Sequence, residues 1–215
     1  DGVVVTLSDG RKVAGTHCLV AIGSIPNTEG LGLDAAGVEV SDSGHVVVDG
    51  VSRTCVNNIY AAGDCTGVYP LASVAAMQGR IAMAHILGDA VKPLRTDRVA
   101  GNIFTTPEIA TVGVSEKDIE EGLYRGDTVM LSLTTNPRAK MMAVSDGFVK
   151  VFARKHSGTV IGGVVVGPRA SELIFPISLA VEKKLTVDDL AETFTVYPSL
   201  SGSVSEAARK LHTRG

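Results

Sequence analysis

The stretch NNIYAAGDCTG, residues 57–67, holds residue types suited to binding a polar ligand. A short apolar run ends in Gly63-Asp64, and a helical pattern begins a few residues later. Gly63 allows a ligand to come close to the backbone. Asp64, at the carboxyl end of the run, can accept hydrogen bonds from sugar-type hydroxyls. The amino end of the following helix offers free N–H groups and the positive end of a dipole. Together they suit an electron-rich ligand with a polyol arm. Taken alone, Gly-Asp is equally an ordinary turn.

A second stretch, TVYPSLSGSVSEAARKL, places Tyr197 directly before Pro198 on a turn that leads into a helix. An aromatic hydroxyl there raises the question of acid/base chemistry. A third, CLVAIGSIPNT, is an apolar run broken at Gly23. Other patterns do not hold up. Gly30-Leu31-Gly32-Leu33-Asp34-Ala35 fits G-x-G-x-x-A, but the dinucleotide fingerprint needs a strand before it and a helix after it. The serines of SLSGSVS do not make a G-x-S-x-G elbow. The five histidines, at 17, 45, 85, 156 and 212, have no metal-ligand spacing. The polar run Thr134, Thr135, Asn136, Arg138 suggests no chemistry of its own.

The elements that must position these residues follow from periodicity. Residues 3–7 and 17–22 read as strands, with an Asp9-Gly10 turn in the first hairpin. CLVAIG resembles a strand covered on both faces. Residues 45–49 alternate weakly, and residues 58–62 read as a short strand. Residues 71–87 read as an alanine-rich helix stopped by Gly88, and residues 90–98 as a linker. The second half predicts strands near 100–105, 109–114, 128–134, 147–154 and 159–166. Hairpin signals stand at Ser145-Asp146-Gly147 and Ser157-Gly158. Helices follow near 169–184, 187–193 and 203–212, with capping pairs Thr186/Asp189 and Ser203/Glu206. Pro176 should kink the first of these helices. This half reads as an antiparallel sheet with helices on one side.

Composition narrows the function classes. The 215 residues are 45% hydrophobic and 20% charged, in the range of a soluble globular protein of one or two domains. A net charge of −3 without a basic run argues against nucleic acid or an anionic membrane as partner. No apolar run approaches a membrane span. Cys18, Cys55 and Cys65 are odd in number and far apart, which fits free thiols in a reducing, cytoplasmic setting. A hairpin opens the chain without an initiator Met or signal peptide, so a piece of a longer protein is expected.

In this order the segments resemble the carboxyl-terminal half of the pyridine nucleotide–disulfide oxidoreductase family. AIGSIPNT is similar to the end of the family's NAD(P)H domain, and TCVNNIYAAGDCTG to its second FAD motif. YPLASVAAMQGR is similar to the helix beside the flavin. IFTTPEIATVGVSE, GFVKVF, GGVVVGPRASELI and TVYPSLSGSVSEAA are similar to successive parts of its dimerisation domain.

The resemblance implies α/β architecture followed by an α+β antiparallel-sheet dimerisation domain. It divides the chain into residues 1–28 (tail of the NAD(P)H-binding domain), 29–97 (second half of the FAD-binding domain) and 98–215 (dimerisation domain). It implies FAD and NAD(P)H as cofactors and a homodimer that passes electrons to a small-molecule acceptor. Asp64, next to Gly63, would bind the ribityl chain of FAD. Pro70, Leu71, Ala72 and Ser73 would lie by the flavin's pyrimidine edge, and Gly23 along the nicotinamide nucleotide. No metal site is implied. The family's first FAD motif and its redox-active cysteine pair are absent from these residues.

The Tyr197 turn departs from the family's disulfide reductases. They carry a His before this proline and a Glu five positions after that His, the acid/base pair for dithiol chemistry. Here the two positions hold Tyr197 and Gly202. An unperturbed tyrosine is a poor base at neutral pH. The resemblance therefore points to lipoamide-dehydrogenase-like flavoproteins that reduce quinones. Dihydrolipoamide dehydrogenase is the alternative, and an isolated dimerisation module is a reading of another class. Tyr197 is either a replacement at the catalytic position or a packing aromatic at the dimer interface.

Overall fold

A computed structural model describes residues 2–212. The chain opens with a small antiparallel hairpin, β1 (Val3–Thr6) against β2 (Lys12–Gly15), with Val3 opposite Gly15. The Asp9-Gly10 turn closes it: the Leu7 N–H donates to the Arg11 carbonyl at 2.8 Å.

The strand expected at 17–22 does not form. Leu19 is 89% exposed and Ile22 is 94% exposed. A continuous apolar run becomes a strand only where neighbouring strands pair with it and helices cover it, and no described strand lies alongside. Residues 45–49 and 58–62 also lack a ladder. They are held by isolated bridges, Val40 to Val46 and Arg53 to Tyr60.

A single long helix, α1 (Ala72–Ile86), follows. It buries Val74, Gln78 and Ala82 along one side. Gly88, with a positive φ of 85°, ends it as expected.

The second half is a five-stranded antiparallel sheet in the order β3-β4-β7-β6-β5. Its strands are β3 (Ala100–Ile103), β4 (Glu108–Gly113), β5 (Gly126–Ser132), β6 (Phe148–Arg154) and β7 (Val160–Gly167). The β-branched residues of β6 and β7 alternate, so that Val149, Val151 and Val165 point into one core. Helices α4 (Ala170–Leu173), α5 (Phe175–Lys183), α6 (Val187–Glu192) and α7 (Gly202–Leu211) complete that core with Ile177, Ala180, Leu190, Val204, Ala207 and Ala208. Each fully buried valine or isoleucine contributes about 1.5–3 kcal/mol. Glycine at 163 lets this packing close. A Cβ there would stand 2.7 Å from the Lys150 carbonyl oxygen and 3.0 Å from the Ile177 side chain.

Several local expectations change. The helix expected over 169–184 is two helices that break at Ile174. Pro176 has no N–H to reach the Glu172 carbonyl, so the ladder cannot run through. Thr186 and Asp189 make a full capping box on α6. Ser203 does not cap α7: it lies inside that helix and is buried, and Ser201 holds the cap position. Ser145-Asp146-Gly147 is not a tight hairpin turn. The connection from β5 to β6 carries α3 (Pro137–Met141), and its base closes where the Leu133 N–H donates to the Gly147 carbonyl. Another short helix, α2 (Glu116–Glu120), starts at a Ser115/Asp118 capping box that periodicity did not reveal. Its Glu116 pairs with Lys150 of β6.

Candidate functional site

The Gly63-Asp64 segment is a single 3-10 turn, Asp64–Thr66, entered from Gly63 at φ 92°. That conformation strains any side-chain-bearing residue and suits glycine. The turn is held from α1. The Gly63 N–H donates to Oε1 of Gln78 at 2.8 Å, and Nε2 of Gln78 donates to Oγ1 of Thr66 at 3.1 Å. Oγ1 of Thr66 donates in turn to the Gly63 carbonyl at 2.8 Å. Gln78 is 1% exposed and Thr66 is 8% exposed. The bonds of this stretch engage Gly63, Cys65 and Thr66, so the exposed Asp64 carboxylate is uncommitted among the described residues.

Pro70, Leu71, Ala72 and Ser73 form the amino end of α1. Leu71 is the cap residue, extended at φ −131°, and no side chain caps the first turn. The N–H groups of that turn are therefore open to an electron-rich partner. Ser73 also lines a cleft of about 670 Å³ with Val74, Met77, Arg95, Arg98 and Glu182. An open carboxylate acceptor and an uncapped helix start are the kinds of group that a flavin with its ribityl chain requires. These residues fit FAD.

Gly23 lies in the exposed, irregular segment near 17–27. Tyr197 is 82% exposed. It lines a pocket of about 300 Å³ with Asn136, Ser199, Ser203 and Arg209, distinct from the cleft at Ser73. Within one chain, neither Gly63 nor Asp64 lines the pocket at Tyr197.

The polar run at 134–138 proves to be the support of the Tyr197 turn. Oδ1 of Asn136 caps α3 by accepting from the N–H groups of Arg138 and Ala139. Its Nδ2 donates to the Ser199 carbonyl at 2.9 Å and to Oγ of Ser203 at 2.8 Å. Asn-Pro at a helix start is a capping signature that periodicity alone overlooks. Gln78 had a signal too, since a polar side chain on the buried side of an alanine-rich helix must find partners.

On the other edge, Oε2 of Glu108 accepts from the Ser171 N–H at 3.0 Å and from Nδ2 of Asn102 at 3.4 Å. The Ser171 amide, with the Ser171 hydroxyl and Asn102, holds this carboxyl below the usual carboxylate range. Large apolar side chains remain exposed around this half: Phe175 and Leu179 on α5, Ile103 and Phe104 after β3, and Phe194, Val196 and Tyr197 before α7. No described helix is long and apolar enough to cross a membrane.

Residues 99–208 match the family model described as pyridine nucleotide-disulphide oxidoreductase, dimerisation domain, and residues 1–79 match pyridine nucleotide-disulphide oxidoreductase. The chain is 58% identical over 210 residues to a Mycobacterium tuberculosis protein named NAD(P)H dehydrogenase (quinone), covering 98% of this chain and 43% of that one. It is 38% identical to the dihydrolipoyl dehydrogenase of Bacillus subtilis, with 97% and 45% covered. The crystal structure of LpdA from Mycobacterium tuberculosis superposes with a TM-score of 0.93 at 57% identity, over 99% of this chain and 46% of that one. The HOCl-induced flavoprotein disulfide reductase RclA from Escherichia coli gives 0.86 at 26% identity, over 96% and 48%. The chain thus spans less than half the length of the curated relatives it matches.

Proposed function

Because the chain belongs to the pyridine nucleotide-disulphide oxidoreductase family, we propose that it is part of an FAD-dependent enzyme that carries electrons from NAD(P)H to a quinone. FAD, when bound, supplies the two-electron relay between the nicotinamide and the acceptor. Asp64 accepts hydrogen bonds from the ribityl hydroxyls. The uncapped start of α1 at Leu71, Ala72 and Ser73 stabilises negative charge on the pyrimidine edge of the ring. Gly23 lies along the nicotinamide nucleotide.

One observation carries the choice of acceptor. Where dithiol chemistry needs a His and a Glu, this chain has Tyr197 and Gly202. Tyr197 stands exposed. A quinone acceptor would need no thiol acid/base, so the absence of the His and the Glu would not impede it. The relative named NAD(P)H dehydrogenase (quinone) supports the same reading. The 38% identical dihydrolipoyl dehydrogenase leaves dihydrolipoamide as the alternative substrate.

The working form is a homodimer in which a second copy covers Phe175, Leu179, Phe194 and Val196. Exposed apolar side chains of this number suit a large, apolar interface. The test is a pair of assays on the full-length enzyme: NAD(P)H with a benzoquinone, and dihydrolipoamide with NAD. Fast quinone reduction with little dihydrolipoamide oxidation supports the reading. Vigorous dihydrolipoamide oxidation overturns it.

A further inference from the structure

The two halves of the candidate flavin site are joined by a weak connection. Gly67 to Pro70 are half-buried or exposed, and the backbone bonds near them are local, Gly67 N–H to the Asp64 carbonyl and Leu71 N–H to the Tyr69 carbonyl. Such a loop does not by itself fix Asp64 relative to the start of α1. The one buried cross-strut between the turn and the helix is Gln78.

Its bonds form a closed ring whose polarity is set by a single group. The Gly63 N–H can only donate, so the side chain of Gln78 must present Oε1 to it. That leaves Nε2 to donate to Oγ1 of Thr66, and the Thr66 hydroxyl to donate to the Gly63 carbonyl. The same carbonyl also accepts from the Thr66 N–H at 2.9 Å. Every bonding group of the turn that is buried with Gln78 is thus satisfied, at the strained φ of Gly63. A leucine would leave the buried Gly63 N–H without a partner. A glutamate could accept from Gly63 but could not donate to Thr66.

We propose that Gln78 is a positioning residue for the flavin: through this ring with Gly63 and Thr66 it fixes the direction of the Asp64 carboxylate relative to the amino end of α1. The proposal rests on the FAD reading above. Gln78 touches no ligand in this scheme and acts only through the turn.

The experiment titrates FAD into full-length apoprotein, following flavin fluorescence, for wild type, Gln78→Leu, Thr66→Val, Thr66→Ser, Asp64→Ala and the double variant Asp64→Ala/Gln78→Leu. Gln78→Leu and Thr66→Val should each weaken FAD binding roughly tenfold, the loss of about one buried neutral hydrogen bond. Thr66→Ser keeps the hydroxyl and should restore wild-type affinity. The double variant should bind little more weakly than Asp64→Ala alone, because Gln78 works through the residue already removed. Hydrogen exchange at the Gly63 amide should quicken in Gln78→Leu. If Gln78→Leu does not fold, the Thr66 pair carries the test.

Unchanged affinity in Gln78→Leu and Thr66→Val, or fully additive losses in the double variant, overturns the positioning role while the Asp64→Ala loss still upholds the FAD reading. Wild-type protein that takes up no FAD, or Asp64→Ala with unchanged affinity, overturns the FAD reading and this proposal with it.

Discussion

Asn136 donates from Nδ2 to Oγ of Ser203, 2.8 Å away and 67 residues later in the chain. That bond ties the start of α3 to the first turn of α7, and with the bond to the Ser199 carbonyl it anchors the turn that presents Tyr197. The side chain that caps one helix therefore docks another.

Asn136→Ala should destabilise the protein by about 1–3 kcal/mol, through loss of the cap and of two partly buried bonds. Asn136→Asp keeps the acceptor for the α3 cap but loses the donors to Ser199 and Ser203, so its cost isolates the docking term. Urea unfolding of the three proteins checks both statements. A wild-type midpoint in Asn136→Ala would remove this contact from the fold's support.

Asp64→Ala in the full-length enzyme should weaken FAD binding by about 1.5–3 kcal/mol, the range of a charge-assisted hydrogen bond. The flavin dissociation constant measures it directly. An unchanged value would take Asp64 out of the site.

Tyr197→Phe separates the hydroxyl from the ring. If the hydroxyl bonds the quinone, turnover with a benzoquinone should fall while the fold is unchanged. Dihydrolipoamide oxidation should already be low in wild type, by the ~10²–10⁴-fold that general acid–base catalysis typically supplies. Equal quinone turnover in the two proteins would make ring packing the account of this position.

If a second copy covers the apolar surface at Phe175, as proposed, Phe175→Asp should shift the full-length protein from dimer towards monomer by placing a charge there. Sedimentation at micromolar concentration reads the outcome. A wild-type protein that is already monomeric there would contradict the homodimer.

Glu108→Gln tests the sign of a pH effect. The folded-state pKa of Glu108 lies below its ordinary 4.5, chiefly through the Ser171 amide. A depressed carboxyl stabilises the fold above the unfolded-state value, and that contribution is lost as pH falls through the folded-state value. Glu108→Gln should therefore be less stable than wild type at neutral pH, with the difference shrinking as pH falls below 4.5. Denaturant unfolding at both pH values gives the comparison, and a difference that grows in acid would reverse the assignment.

The sheet half was largely legible from residues alone. The alternating valines of β6 and β7, the Ser157-Gly158 turn and the Thr186/Asp189 box are local signals, and each bears on its own few residues. Gly63 and Asp64 were also visible, but taken alone they are equally an ordinary turn, and it was the family resemblance that marked them as a ligand site. What sequence overstated were the strands at 17–22 and 58–62. Hydrophobicity shows that a segment can be buried, but a strand also needs a partner edge, and pairing is a property of the whole arrangement.

Local chemistry in the sequence thus determined the Thr186/Asp189 cap and the sheet's strands, and the family resemblance marked the Gly63-Asp64 turn and the Tyr197 position. The tertiary structure alone decided that Gln78 of α1 closes on Gly63 and Thr66 and that Asn136 reaches Ser199 and Ser203. The physical reason is the same in each case. A buried polar group must find a partner, but its partner can lie anywhere in the chain, and only the packing of the core brings the two together.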